Sequence, residues 1–312
     1  MDQTILREVG HRLYQTERLK EMKRYLVFRA RCRMHEKDIN GLLDFFAETP
    51  ERQAILHGTP AFVEQATRAF FYKGSDYADR IALIKNHVLF MEQHFTAAAV
   101  SALYVDVDTA VNEGKQLTLW QDMFEDEPLS MKLCFKSGQR KEGCLSLILS
   151  WADQSLYQIM FWFGPDPAKD GTAIWIGALQ GMSNGGDVIK RLTKAFFGYR
   201  TKKLIFYGLR NLARCLGITQ IYAVTNEGYY AMNHIRKDRK LKTDFGAFWA
   251  ECGGTLRAED PRFFAIPVAE YRKDMSELKP SKRAQHRRRF EKLDEINVAF
   301  AESCKKYLLQ GH

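Results

Sequence analysis

"WIGALQGMSNGGDVIKRLTKAFFGYRTKKLIFYGLRNLARCLGITQIYAVTN", Trp175 to Asn226, is the stretch on which the reading of this chain turns. It opens as a buried strand, passes through a glycine-containing polar turn and enters a helix. A basic turn and a second helix follow, then a β-prone strand, "ITQIYAVTN", that stops at Asn226. The second helix is well marked: Leu204, Ile205, Tyr207, Leu212 and Leu216 give it an apolar face, and Gly217 supplies its stop. A chain that leaves one strand by a polar loop and returns to a strand beside it has two explanations. Either the loop cradles a ligand with phosphates, or it is an ordinary crossover in a mixed sheet.

Upstream lie "KQLTLWQD", "LSMKLCFKS", "EGCLSLILSWA", "SLYQIMFWFGP" and "TAIWIGALQG". They are short, rich in β-branched and aromatic residues, and divided by turn formers such as Glu113-Gly114 and Ser137-Gly138, which predicts an antiparallel meander. Residues 1 to about 101 are expected to be helical. In "DRIALIKNHVLFMEQHF" Ile81, Ile84, Val88, Met91 and Phe95 recur at the helical period, and "TPAFVEQATRAFFY" begins with a Thr59-Pro60 start signal. Segment 12–33 has helical composition with a basic face. Downstream, "DFGAFWAECGG" predicts a short helix and "RFFAIPV" a last strand, and from Ser276 a charged helical tail is interrupted at Pro280. The expectation is an α+β chain in three parts: helical 1–101, mixed α/β 102–275 and a basic helical tail 276–312.

The net charge of +9 is concentrated at 20–33, 190–203, 236–242 and 282–289. Such patches suit nucleic acid, an anionic membrane face or acidic partners. The C-terminal cluster Lys282, Arg283, Arg287, Arg288 and Arg289 lacks the interleaved aromatics of single-strand binders and matches no groove-reading motif, so no specific nucleic-acid partner is expected. Phosphate groups of a lipid, or pairing with Glu291, Asp294 and Glu295, are its remaining readings. The six cysteines form no Cys-x-x-Cys pair and read as core residues. No signal-like segment or long apolar run is present in the sequence, so a cytoplasmic protein is expected, with peripheral contact at the inner membrane as the membrane role left open.

The stretches "KEGCLSLIL", "LYQIMFWF", "IWIGALQG", "IKRLTKAFFGYRTKKLIFYGLRNLA", "GITQIYAVTN", "FGAFWAECGG" and "SKRAQHRRRFEKLDE", in that order over roughly residues 80–296, resemble the VirK/YbjX family of Gram-negative bacterial proteins. That resemblance implies a link to virulence and to resistance against antimicrobial peptides, with no settled reaction. The element order over 142–268 also looks like the core of a GNAT-type N-acyltransferase. That likeness implies that Ile174–Gln180 and Gln220–Thr225 splay apart and admit the pantetheine of an acyl donor. Its pyrophosphate would meet a helix N-terminus, near Gln180, Gly181, Gly185, Gly186, Arg200, Lys202 and Lys203. The usual phosphate signature of that fold is absent, since "GYRTKK" has one glycine and an extra helix precedes it. This weighs against acetyl-CoA. No tightly bound cofactor is expected, and acyl-CoA or an acidic acyl carrier protein would be the donor substrate, with a peptide or lipid amine or hydroxyl as acceptor.

The same likeness implies that Asn226 touches pantetheine and that Tyr229 or Tyr230 protonates the leaving thiolate. The alternative is a simple turn with packed tyrosines. His87 and His94 share a helix face with Arg80, and the VirK/YbjX resemblance, which includes an Arg followed several residues later by a His, implies that His87 is the better candidate base, against a hydrogen-bonded structural role. Their spacing of seven does not suit zinc, and no metal is expected. Glu142, Gln180 and Glu251 lie at element ends and read as solvated or capping before catalytic, and Cys144 and Cys215 lack a His–Asp setting for a nucleophile. The leading expectation is an acyl- or aminoacyl-transferase. The alternative is a non-catalytic virulence factor that binds a protein or anionic lipid.

Overall fold

The computed structural model describes residues 3–108, 113–181, 185–233 and 243–309. Within these residues eight strands form one open sheet: β1 (Leu117–Phe124), β2 (Glu127–Cys134), β3 (Leu145–Trp151), β4 (Gln154–Pro165), β5 (Thr172–Gly181), β6 (Gln220–Val224), β7 (Thr255–Leu256) and β8 (Phe263–Pro267). Their spatial order is β1-β2-β3-β4-β5-β6-β8-β7. The first five are the expected antiparallel meander. Its first hairpin turns through Glu125 and Asp126, both left-handed (φ 52° and 62°), the conformation that matches the twist of paired strands. The two-residue β7 was not foreseen in the sequence.

Among the described residues seven α-helices and a short π-helix (Ser101–Val105) precede the sheet: α1 (Gln3–Leu13), α2 (Leu19–Met34), α3 (Glu36–Ala47), α4 (Pro50–Gly58), α5 (Ala61–Thr67), α6 (Tyr77–His94) and α7 (Ala97–Val100). The start of α6 is fixed by reciprocal capping between Asp76 and Asp79. The helix expected through Tyr72 instead stops at Thr67. Its last carbonyls are captured from outside, Ala66 by Arg80 Nε (2.9 Å) and Thr67 by the Tyr77 hydroxyl (3.3 Å), and Arg68 turns extended. Phe71 then adopts φ 68°, and its N–H donates to the Lys141 carbonyl.

Between β5 and β6 run α8 (Gly186–Ala195) and α9 (Thr201–Cys215), and Gly217 in the left-handed region (φ 66°) ends the second, as expected. β5 and β6 are parallel and pair only through Ile174–Ile221, Trp175–Tyr222 and Ile176–Ala223. Beyond that point β5 pairs with β4 alone, and Gly177 is bulged out of register between Ile176 and Ala178. α10 (Phe245–Glu251) precedes β7, and α11 (Pro280–Cys304) closes the chain against α9 and β1. Pro280 begins α11 rather than interrupting it. It occupies the first helical turn, where its missing N–H costs nothing.

One cluster of buried side chains runs from Leu6 through the sheet to Cys304. The N-terminal helices share it, for instance through Phe62 against Tyr104 and Phe135, and Phe90 at 4.3 Å from Phe163. No helix among the described residues is long and apolar enough to cross a membrane.

Candidate functional site

The place where β5 leaves β6 is occupied by a carboxylate. A Cβ on Gly177 would overlap the Glu142 carbonyl oxygen, so the backbone of Glu142 lies directly on the bulge. The side chain of Glu142 is 4 % exposed. Its Oε1 accepts from the Tyr229 hydroxyl (3.0 Å) and from Gln180 Nε2 (3.3 Å). Burial raises this carboxyl from the ordinary 4.5 to about 7, against the opposing pull of the Tyr229 hydrogen bond and the Lys141 charge.

Behind Gln180 the hydrogen bonds form a row. Gln158, opposite Gln180 on β4, donates to its carbonyl at 3.3 Å. Gln139 donates to Gln158, and the Ser146 hydroxyl donates to Gln139 at 2.5 Å. Every donor in the row points toward Glu142. Gln139, Gln158 and Gln180 are half-buried, so they form the solvent-facing side of the cluster.

The loop that carries Glu142 is held by α5. Gln65 Nε2 donates to the carbonyls of Arg140 (2.8 Å) and Gly143 (2.9 Å). Glu64, 1 % exposed, takes Arg140 at 2.6 Å, Arg68 at 3.1 Å and the Tyr14 hydroxyl at 2.9 Å. Burial pushes the Glu64 carboxyl up, but Arg140 and Arg68 outweigh it and hold it below its ordinary value. Two buried carboxylates on neighbouring segments therefore differ: one is fixed as an anion by arginines, and the other is poised near neutrality without one.

Tyr229 and Tyr230 lie together at 4.8 Å, buried, and Tyr230 also packs edge-on against Phe70. Burial, then the Glu142 charge, raises the Tyr229 phenol well above its ordinary value, so it stays protonated. The amide of Asn226 is spent locally: Oδ1 accepts from the N–H groups of Phe245 (2.8 Å) and Gly246 (3.3 Å), and Nδ2 donates to Thr243. It braces the start of α10.

His87 sits apart from this cluster. Its Nδ1 accepts from the Phe163 N–H at 3.2 Å, on a stretch of β4 beyond the last residue paired with β3, and Nε2 meets the Tyr104 hydroxyl at 2.8 Å. It is fully buried, and burial lowers it to about 3. Gly181 ends β5 against the Tyr157 ring, Gly185 caps α8 and Gly186 opens it; residues 182–184 between them lie outside the described residues. At the start of α9, Arg200 pairs with Glu251, Lys203 donates to the Glu251 carbonyl at 3.2 Å, and Lys202 lies over the Phe248 ring at 4.0 Å. Burial, then the Arg200 charge, lowers Lys202 to about 8. The basic stretch 236–242 lies outside the described residues. Among those described, no three His, Cys, Asp or Glu side chains gather in a way that could hold a metal ion.

Reading the sequence alone passed over Gln139 and Gln158 and ranked Glu142 as solvated. The only available signal was Glu142 immediately before a strand-opening Gly-Cys, which says nothing about burial.

Comparison with known proteins adds a family but no chemistry. "Uncharacterized protein YbjX" of Escherichia coli (strain K12) is 36% identical over 132 residues, which is 41% of this chain and 39% of that protein. The chain thus spans about two fifths of that relative's length in the match. An "Uncharacterized protein" of Haemophilus influenzae is 22% identical over 286 residues, covering 89% of each chain. No solved structure matches. The family model described as "Protein of unknown function (DUF535)" matches residues 17–302, and the chain belongs to that family.

Proposed function

We propose that the protein is an acyltransferase of GNAT-like type that transfers an acyl group from a thioester to an amine or hydroxyl of a peptide or lipid. The observation that carries this reading is the carboxyl of Glu142, poised near 7 and bonded to Tyr229 where β5 parts from β6. Buried acids that form no ion pair are uncommon outside functional sites. Support also comes from the three-pair parallel junction and its bulge at Gly177.

Glu142 takes the proton from the acceptor as its nitrogen or oxygen attacks the thioester carbonyl carbon. The tetrahedral intermediate then expels the thiolate, the C–S bond breaking. Tyr229 gives its proton to sulfur and recovers one from Glu142 along the existing hydrogen bond, which restores both groups. Lys202 and Lys203 meet the phosphates of the donor, and Asn226 acts by positioning α10. His87, buried with both nitrogens engaged, holds β4 and takes no part in the proton transfers.

A second reading, a non-catalytic factor of the antimicrobial-peptide-resistance kind, is favoured by one observation: Glu142 and Tyr229 fill the head of the junction. Thiol release from a panel of acyl-CoA and acyl carrier protein thioesters separates the two. With Tyr229→Phe, turnover falls about 10²–10⁴-fold. The pH limb near 7 moves upward, because Glu142 loses the hydrogen bond that stabilises its charge. Absence of both turnover and binding with every donor overturns the proposal.

A further inference from the structure

α2 is apolar on two faces. Tyr25, Phe28 and Cys32 are buried against the other helices, as the spacing of three and four requires. On the opposite side Leu19, Met22, Leu26, Ala30 and Met34 form a second row that touches no core. Leu19 is 91% exposed, Leu26 58% and Met34 71%, so the row faces solvent. The outward face of a helix in a globular protein is ordinarily polar.

Cations border this row, Lys20 and Arg31 on one side and Arg29 on the other, and Lys23 and Arg33 stand within it. α2 carries Lys20, Lys23, Arg24, Arg29, Arg31 and Arg33 against a single acid, Glu21, which pairs with Arg24 at 2.7 Å. Lys20, Lys23 and Arg33 are exposed and form no ion pair among the described residues. A convex ridge of leucine and methionine bordered and interspersed by lysine and arginine fits one surface above others, the boundary between acyl chains and headgroups of an anionic bilayer. A second copy would bring six cations against six, and an acidic protein would leave the leucine and methionine ridge without a match.

We infer that α2 is a membrane-docking helix: it lies in the plane of a bilayer containing anionic phospholipid, with Leu19, Leu26 and Met34 inserted and Lys20, Lys23 and Arg33 on phosphate. The inference does not depend on the reaction proposed above. Its length, 16 residues with six cations, excludes spanning.

The test is flotation of the full chain with phosphatidylcholine vesicles, with and without phosphatidylglycerol. Binding is expected only with phosphatidylglycerol and is expected to weaken as salt rises. The Lys20→Ala, Lys23→Ala pair lowers the partition coefficient about 30-fold, from about fivefold per cation. The Leu26→Asp, Met34→Asp pair abolishes binding with an unchanged melting temperature, since both side chains are exposed. Absence of binding to phosphatidylglycerol vesicles overturns the inference, as does binding that the aspartate pair leaves intact. So does light scattering that shows a dimer dissolved by the same pair, because the ridge would then be a contact between copies.

Discussion

Replacing Glu142 by Gln should make the protein more stable above neutral pH while removing its base. The amide keeps an oxygen for the Tyr229 hydroxyl and for Gln180, so the packing and the two accepted bonds are preserved. What changes is the ionisation. A rise from the ordinary 4.5 to about 7 means that the folded state binds this proton more tightly than the unfolded chain does. Wild-type stability contributed by the group is therefore fully present below about 4.5 and is lost as pH climbs through about 7. At 1.36 kcal/mol per pH unit the whole difference is about 3 kcal/mol. Urea denaturation of wild type and Glu142→Gln from pH 4 to 9 reads it directly. The two curves should lie close together at the acid end, and the variant should be ahead by about 3 kcal/mol at pH 8 to 9. A gap that does not change with pH, or a variant less stable at pH 8, would mean that Glu142 is solvated or held as an anion in an ion pair, and the poised-base argument would fail with it.

Gly177→Ala places a methyl group on the Glu142 carbonyl oxygen, which is backbone and cannot swing aside. A loss of about 1–3 kcal/mol or more is expected in melting experiments, and near-wild-type stability would show that the loop is not seated on the bulge. His87→Leu keeps the volume but orphans the buried Phe163 N–H, costing about 1–3 kcal/mol at pH 7. Because His87 is held near 3, its contribution is present above its ordinary 6.5 and lost as pH falls toward 3. The gap between wild type and variant should therefore narrow by about 2 kcal/mol between pH 6.5 and 5, and a constant gap would contradict neutral burial of the imidazole.

The parts of this fold that could be read from the chain are those fixed by local chemistry. The meander followed from β-branched and aromatic runs between turn formers, and α9 from its apolar face and Gly217. Pro280 was misread because the same residue that breaks a helix interior also suits its first turn, and only the path of residues 276–279 decides between them. β7 is too short to leave a pattern. Glu142 was illegible for a different reason. The contacts that hold it are remote: Gln65, 78 residues before Gly143, seats its loop, and the Tyr229 hydroxyl, 87 residues after Glu142, bonds its carboxylate. His87 was legible as a helical histidine, but not as a substitute for a missing strand, since that depends on where β3 begins.

The helical region is thus part of the candidate site although it contributes none of the groups proposed to move protons. Glu64 occupies Arg140 and Arg68, the two arginines nearest in sequence to the segments that meet there. If Arg140 were not directed at Glu64, it would stand two residues from Glu142 and could neutralise it, and a carboxylate paired in that way is no base at neutral pH. The same pairing pins the 139–144 loop, together with Gln65 and the Phe71 N–H to Lys141, so that Glu142 has nowhere to go but the bulge. An ion pair usually adds little to stability once its desolvation is counted. Here its effect is better measured in what it denies to a neighbour: by holding Arg140 and Arg68, α5 leaves Glu142 buried and hydrogen-bonded with no arginine on it, so that burial outweighs the pull of the Lys141 charge at the point where the two parallel strands part.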